Sequence, residues 1–316
     1  MPTPATMRTS IQHSLGGPEV LEIITVARPE PRPNEILVRV HAAGLNPTDF
    51  KHRAAKRFVE DPPFTLGWDV SGVVEAVGVG VARFTVGDEV IAMLPYPYGH
   101  GSHADYVSAP ARLFVTKPAS VDHVQAGALP LVSLTAWQAL VEYADVQPGQ
   151  RVLIHAAAGG VGHVAVQIAK ARGAYVIGTA SAAKHDFLRS LGADETIDYQ
   201  TQDFAELAHD IDVVLDTLGG EIGLRSLRTL RPGGIVVSIV PLGSDDFYRD
   251  ADELGVRAVR MLVDSSRSNL VSIAELVDAG KLRATIAATF PLEHLADAHR
   301  LGETGRTAGK IVITMV

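Results

Sequence analysis

The run in this 316-residue chain richest in chemical possibility is RVLIHAAAGGVGHVAVQIAKARGAYVIGTAS, residues 151–181. An apolar stretch gives way to small residues in the pattern Ala157-x-Gly159-x-x-Gly162. Apolar positions at helical spacing follow, Val161, Val164, Ala165, Ile168 and Ala169, and then a second apolar stretch. Strand, turn and helix in that order suit a pyrophosphate. A small residue permits the tight turn, bare backbone lets phosphate approach, and the last glycine lets the helix pack on the strand. The first amides of the helix, with the positive end of its dipole, face the anion. Small residues also occur at such turns for close packing alone, but the flanking strands and helix are the context a dinucleotide site requires.

The residues at the end of the second strand bear on which dinucleotide this is. An enzyme for the unphosphorylated cofactor places Asp or Glu there to accept from the ribose hydroxyls. Here VIGTASAAKH ends in Thr179, Ala180 and Ser181, with Lys184 and His185 just beyond. Ser181 and Lys184 are suited to a phosphate oxygen, so NADP(H) is favoured over NAD(H). Lys184 also reads as a solvated lysine at a helix start, and the missing acid carries more weight.

Several elements must position this turn. From about Ser133, SLTAWQALVEYA has helical spacing, and RVLIHA, AYVIGTA, DVVLD and GIVVSIV read as buried parallel strands between helices, the pattern of a doubly wound sheet. The first third is β-rich: EVLEIITVARPEP, EILVRVHAAG and residues 69–94, where Gly72, Gly78, Gly80 and Gly87 mark bends or bulges of a small barrel-like sheet. The C-terminal residues 283–316 mix strands with one short helix and read as a return to the first domain. The expected division is 1–125 with 265–316 around a nucleotide-binding domain at 126–264. Asp245 and Asp246 read as a solvated loop.

Composition excludes other classes. Formal charge is −8, with basic residues scattered, which argues against nucleic acid or anionic membrane as the main partner. The chain has no cysteine, so neither disulfides nor thiolate-held metal are available. MPTPATMRTS lacks the apolar core of a signal peptide, and a cytoplasmic protein is expected, with Met7 as an alternative start and the first six residues as a leader.

GGPEVLEI, AAGLNPTDFK, GWDVSGVVEAVGVGVARFTVGDEV, HAAAGGVGHVAVQIAKARGA, LGADETIDY and AGKIVI, in this order, resemble the zinc-independent, quinone oxidoreductase-like branch of the medium-chain dehydrogenase/reductase superfamily. The resemblance covers nearly the whole chain. It implies an α/β subunit with a GroES-like β-rich catalytic domain and a Rossmann cofactor domain, a substrate in the cleft between them, and a homodimer. It also implies that Ala158, Gly159, Gly160, Val161 and Gly162 form the pyrophosphate turn and that Ser181, Lys184 and Tyr199 cradle the 2′-phosphate. Thr135, Thr217, Leu218, Val240 and Leu242 are then neighbours of the nicotinamide. Tyr199 reads equally as a strand-end packing aromatic, and Thr135 as a helix-packing residue. The zinc branch has a cysteine where this chain has Asn46 and Gly-His-Glu where it has GWD at 67–69, so both zinc sites are expected to be missing. A site built from His100 and His103 is conceivable, but HGSH reads more simply as a polar loop.

Hydride transfer belongs to the cofactor, and the protein must position the acceptor and stabilise the charge that develops on it. Without a Lewis acid, a quinone or an α,β-unsaturated carbonyl, which delocalises that charge, is the fitting acceptor. Asn46 can donate to a substrate carbonyl or a cofactor ribose, or can cap the turn before Pro47. Asp49 is a second catalytic candidate or a helix cap. Some relatives carry a tyrosine near residues 50–53. This chain has Phe50, Lys51, His52 and Arg53, so an acid must come from Tyr98 or Tyr96, or from water. The expected activity is NADPH-dependent reduction of quinones or enones. Alternatives are an enoyl-thioester reductase and a non-catalytic NADPH-sensing protein.

Overall fold

The computed structural model describes residues 5–56, 61–99, 101–241 and 246–315. The chain divides into two compact units, Met1–Leu131 with Asp264–Val316, and Val132–Val263.

In the first unit, β1 (Thr6–Ile11) and β2 (Glu22–Ala27) form an antiparallel pair. A larger sheet is built around β3 (Glu35–Leu45), whose nearly continuous burial fits its apolar sequence. It pairs antiparallel with β4 (Asp69–Val77), which pairs with β5 (Glu89–Met93), and that strand with β7 (Val115–Thr116); β6 (Tyr106–Pro110) joins β3 as well. Register shifts on either side of Val38–Val40 bend the β3–β4 pair. Gly72 lies opposite Val40 there, and a Cβ on it would stand 2.1 Å from the Arg39 carbonyl oxygen. The bend at this glycine therefore comes from backbone approach that no side chain permits.

The second unit is a six-stranded parallel sheet: β8 (Arg151–Ile154), β9 (Tyr175–Ala180), β10 (Glu195–Asp198), β11 (Ile211–Asp216), β12 (Leu230–Ser238) and β13 (Arg257–Arg260). Their order across the sheet is β10-β9-β8-β11-β12-β13, so the winding reverses between β8 and β11. That is the dinucleotide-type order, with its switch point beside the glycine turn. Leu153, Ile177, Val214 and Val236 on the strands and Phe204, Leu227 and Phe247 on the connecting segments form one buried cluster, which is why the strands read as continuous apolar runs. The helix Pro130–Trp137 runs on into a π-helical turn, Gln138–Tyr143, where sequence spacing alone predicts plain helix. Asp246 opens the helix Asp246–Glu253 rather than lying in a loop; Asp245 is outside the described residues.

The chain then returns to the first sheet through β14 (Ile286–Pro291) and β15 (Lys310–Thr314), the latter antiparallel to β3. No helix among the described residues is long and apolar enough to cross a membrane.

Candidate cofactor and catalytic sites

The glycine turn leaves β8 through His155, which is buried, and Ala156, a non-glycine residue at φ 45°. Hydrogen bonds from both neighbouring strands hold this turn. Thr179 Oγ1 at the end of β9 accepts from Ala156 N–H at 3.2 Å, and Thr217 Oγ1 just past β11 donates to the His155 carbonyl at 2.9 Å. The His155 ring sits under the turn, with Nε2 2.8 Å from Ser226 Oγ, and burial pushes its pKa down to about 4, so it packs as a neutral imidazole. Helix Gly162–Ala171 begins at once. Its first bonds run from His163 to Gly159 and from Ala165 to Val161, so the N–H groups of Gly160, Val161 and Gly162 lie ahead of the ladder, available to an anion. A Cβ on Gly162 would lie 2.5 Å from the Ala156 oxygen and 2.6 Å from Ala157 Cα, whereas one on Gly159 would meet only the Ala156 oxygen at 3.2 Å. The third glycine is thus required for helix-on-strand packing, and the first leaves the cradle open. These residues fit a dinucleotide pyrophosphate.

Ser181, Lys184 and Tyr199 follow the carboxyl ends of β9 and β10, adjacent strands. Lys184 N–H donates to the Ser181 carbonyl at 2.8 Å, and Tyr199 is 61% exposed. One acid does stand nearby, and reading β9 alone misses it. Asp198 lies opposite Ala180 at the end of β10. Its carboxylate accepts from Gln200 N–H at 3.2 Å and Thr201 Oγ1 at 2.9 Å, bonds that hold its pKa below the ordinary range. Asp198 is therefore committed to its own turn.

At the ends of β11 and β12, Asp216 organises the next loop: Oδ1 accepts from Leu218 N–H (2.9 Å) and Gly219 N–H (2.8 Å), and Oδ2 from Ser238 Oγ (2.9 Å). Leu218 is 54% exposed, and Val240 N–H reaches Ser238 Oγ at 3.4 Å. Because the strands are parallel, residues 158–162, Ser181, Lys184, Tyr199, Thr217, Leu218 and Val240 all follow the carboxyl edge of one sheet. Thr135 is buried within the helix Pro130–Trp137, and Leu242 lies outside the described residues.

In the first unit, Asn46 and Asp49 open the helix Pro47–Ala54. Asp49 Oδ2 accepts from Asn46 N–H at 2.7 Å, the carboxylate half of a capping box. The Asn46 side chain turns inward: Nδ2 donates to the Gly44 carbonyl (3.1 Å) and to Asp69 Oδ2 (2.9 Å), and Oδ1 accepts from Lys310 Nζ (2.5 Å). Both amide hydrogens of Asn46 are therefore engaged within the chain. Asp69 Oδ1 accepts from Leu131 N–H at 2.6 Å, and Lys310 stands 3.7 Å from its other oxygen. Asn46, Asp49, Asp69 and Lys310 are all buried. Burial, with Asp69 close by, pushes the Asp49 carboxyl up to about 7. Desolvation likewise raises Asp69 and lowers Lys310.

Tyr98 is 76% exposed and makes no hydrogen bond among the described residues, whereas the Tyr96 hydroxyl lies 3.0 Å from Thr48 Oγ1. His52 Nδ1 is 2.7 Å from the Thr48 carbonyl, which can only accept, so Nδ1 carries the hydrogen, and it stands 3.0 Å from Thr48 Oγ1 too. Either hydroxyl can donate in the Thr48–Tyr96 bond. Ser102 and His103, in the polar loop after Gly101, are both fully buried. Burial takes the His103 imidazole down to about 3. His100 lies outside the described residues, and no group of three His, Asp or Glu among the described residues can hold a metal ion.

Comparison with known proteins agrees with this architecture. Residues 32–119 match the alcohol dehydrogenase GroES-like domain, and residues 191–313 match the family described as zinc-binding dehydrogenase. The chain is 37% identical over 326 residues to a 2-haloacrylate reductase of Burkholderia sp, covering 96% of this chain and 98% of that protein. It is 33% identical to an NADPH-dependent alkenal/one oxidoreductase, chloroplastic, of Arabidopsis thaliana, covering 98% and 80%. The solved quinone oxidoreductase of Coxiella burnetii superposes with a TM-score of 0.93 at 36% identity, covering 98% and 100%.

Proposed function

The chain belongs to the medium-chain dehydrogenase/reductase family and is a pyridine-nucleotide oxidoreductase, and from that premise we propose that it is an NADPH-dependent, metal-free reductase of quinones and α,β-unsaturated carbonyls. The observation that carries the cofactor choice is the end of β9. Ser181 stands where an acid would bind ribose hydroxyls, Lys184 follows within three residues, and the acid that ends β10, Asp198, is bonded to its own turn. A 2′-phosphate would meet a cation and a hydroxyl there. The reductases named alkenal/one oxidoreductase and 2-haloacrylate reductase act on conjugated acceptors, which supports the substrate class.

The bound cofactor supplies the hydride. The chain's own part is to hold it by the backbone of 158–162, with Thr217 and Leu218 at the next strand end, and to supply a proton to the reduced acceptor. With Asn46 engaged internally, the proton donor in this reading is Tyr96. Its hydroxyl is hydrogen-bonded to the Thr48 hydroxyl, which lies 3.0 Å from His52 Nδ1. Asp49 and the Lys310–Asp69 pair hold the start of the helix that presents Thr48 and His52. A homodimer belongs to the same reading, on family resemblance alone.

The experiment is NADPH oxidation by the purified protein with a panel of quinones, enones and saturated ketones, with and without prior chelator treatment. Turnover confined to conjugated acceptors and indifferent to the chelator supports the proposal. Tight NADPH binding with no turnover on any acceptor points to a nucleotide-sensing protein, and loss of turnover on chelation refutes the metal-free assignment.

A further inference from the structure

The first unit holds a cavity of about 420 Å³ whose wall carries Arg83, Asp88, Glu89, Lys117 and Arg267. Most of its charges are spoken for. Asp88 accepts from Thr85 N–H at 2.8 Å and from Thr85 Oγ1 at 3.2 Å. Glu89 takes Lys117 Nζ at 3.1 Å and His123 Nε2 at 3.3 Å, and Lys117 also donates to the Val121 carbonyl at 2.6 Å.

The two arginines are different. Neither makes an ion pair or hydrogen bond with any described residue, and Arg267 Nε is buried without a partner. A buried N–H left unpaired costs about 1–3 kcal/mol, and two guanidinium charges on one cavity repel each other. Arg267 registers both effects, its pKa being lowered by desolvation and by the Arg83 charge. The two carboxylates on the same wall, Asp88 and Glu89, make their bonds elsewhere, and no carboxylate among the described residues pairs with either arginine. Arg267 is also the first residue of a twelve-residue helix, Arg267–Asp278, so the positive end of a helix dipole lies at the same wall.

We propose that this cavity binds a phosphate-bearing small molecule whose phosphate is gripped by Arg83 and Arg267. Two planar guanidinium forks match a tetrahedral, doubly charged oxyanion better than they match a single carboxylate. The volume exceeds what inorganic phosphate fills and falls in the range of about 300–1,000 Å³ usual for small-molecule sites, so the anion is a phosphate monoester with an organic part. The site belongs to the first unit, whereas the glycine turn and Lys184 belong to the second.

Thermal unfolding is followed while inorganic phosphate, phenyl phosphate or acetate is added at constant ionic strength set with sodium chloride. The expected result is a saturable rise in the midpoint with phosphate and a larger one with phenyl phosphate, none with acetate, the rise lost in Arg83→Gln/Arg267→Gln and kept in Lys184→Ala. Loss of the response by at least half in Arg83→Gln alone, a change at an exposed position, gives the same answer if the double variant folds poorly. A response equal for acetate and phosphate, one unchanged in the arginine variants, or none with either phosphate overturns the proposal.

Discussion

The Lys310 ammonium donates to the Asn46 side-chain oxygen at 2.5 Å, and both residues are buried. Through this contact the last strand of the chain holds the loop that opens the helix Pro47–Ala54, and the same ammonium faces Asp69 at 3.7 Å. Lys310→Met leaves the Asp69 carboxylate in the interior without its counter-charge. Losing one partner of a buried pair costs about 3–5 kcal/mol, whereas removing both is far milder. Urea unfolding should therefore show a large loss for Lys310→Met and recovery of most of it in Lys310→Met/Asp69→Asn. A single variant as stable as wild type would show that the ammonium carries no such load.

Asp49 makes stability depend on pH in a defined direction. Its carboxyl is raised from about 4 in the unfolded chain to about 7 in the fold. Over that window the native state holds a proton that the unfolded state releases, so this contribution is present in full at low pH and is lost as pH rises through about 7. Asp49→Asn keeps an acceptor for Asn46 N–H and removes the titration. Relative to wild type, the variant should gain a few kcal/mol on going from pH 5 to pH 8, at about 1.36 kcal/mol per pKa unit. The buried histidines, which titrate in the opposite sense, are common to both proteins and cancel in the comparison. A stability difference flat with pH contradicts the assignment.

Gly162 and Gly159 should fail differently. Gly162→Ala places a methyl 2.5 Å from the Ala156 oxygen and 2.6 Å from Ala157 Cα, where only backbone can yield. Overpacking of this kind costs about 1–3 kcal/mol, and cofactor binding should fall with it. Gly159→Ala meets one oxygen at 3.2 Å, so its melting temperature should stay near wild type while NADPH binding weakens. Equal thermal losses in the two variants would mean that helix packing does not distinguish them.

On the proton side, Tyr96→Phe should lower kcat for an enone by about 100-fold, the lower range of general acid catalysis, with NADPH affinity unchanged. Tyr98→Phe should leave kcat alone, since that side chain is exposed and unbonded among the described residues. The reverse pattern moves the donor back to Tyr98.

These residues also show how much the linear order disclosed. The glycine turn was legible because its requirements are local: a strand, three small positions and a helix within residues 151–171. The alternation of buried strands and helices was legible because both faces of the parallel sheet are covered. Asp198 was not, because it reaches the end of β9 from the neighbouring strand, and only pairing with Ala180 brings it there. Lys310 was further out of reach, since 264 residues separate it from Asn46. The internal partners of Asn46 were not legible either, because no sequence pattern says which groups saturate an amide. Tyr96 and Tyr98 are two residues apart, and nothing in LPYPYGHG tells which phenol bonds to Thr48.

The most direct measurement is equilibrium titration of the wild-type protein and of Lys184→Ala with NADPH and with NADH, followed by nicotinamide fluorescence. The account predicts that wild type binds NADPH at least about tenfold more tightly than NADH. It also predicts that Lys184→Ala weakens NADPH about fivefold, roughly the worth of one partly exposed charge-assisted hydrogen bond, and leaves NADH unchanged. Equal affinity for the two cofactors, or equal losses for both in Lys184→Ala, contradicts it.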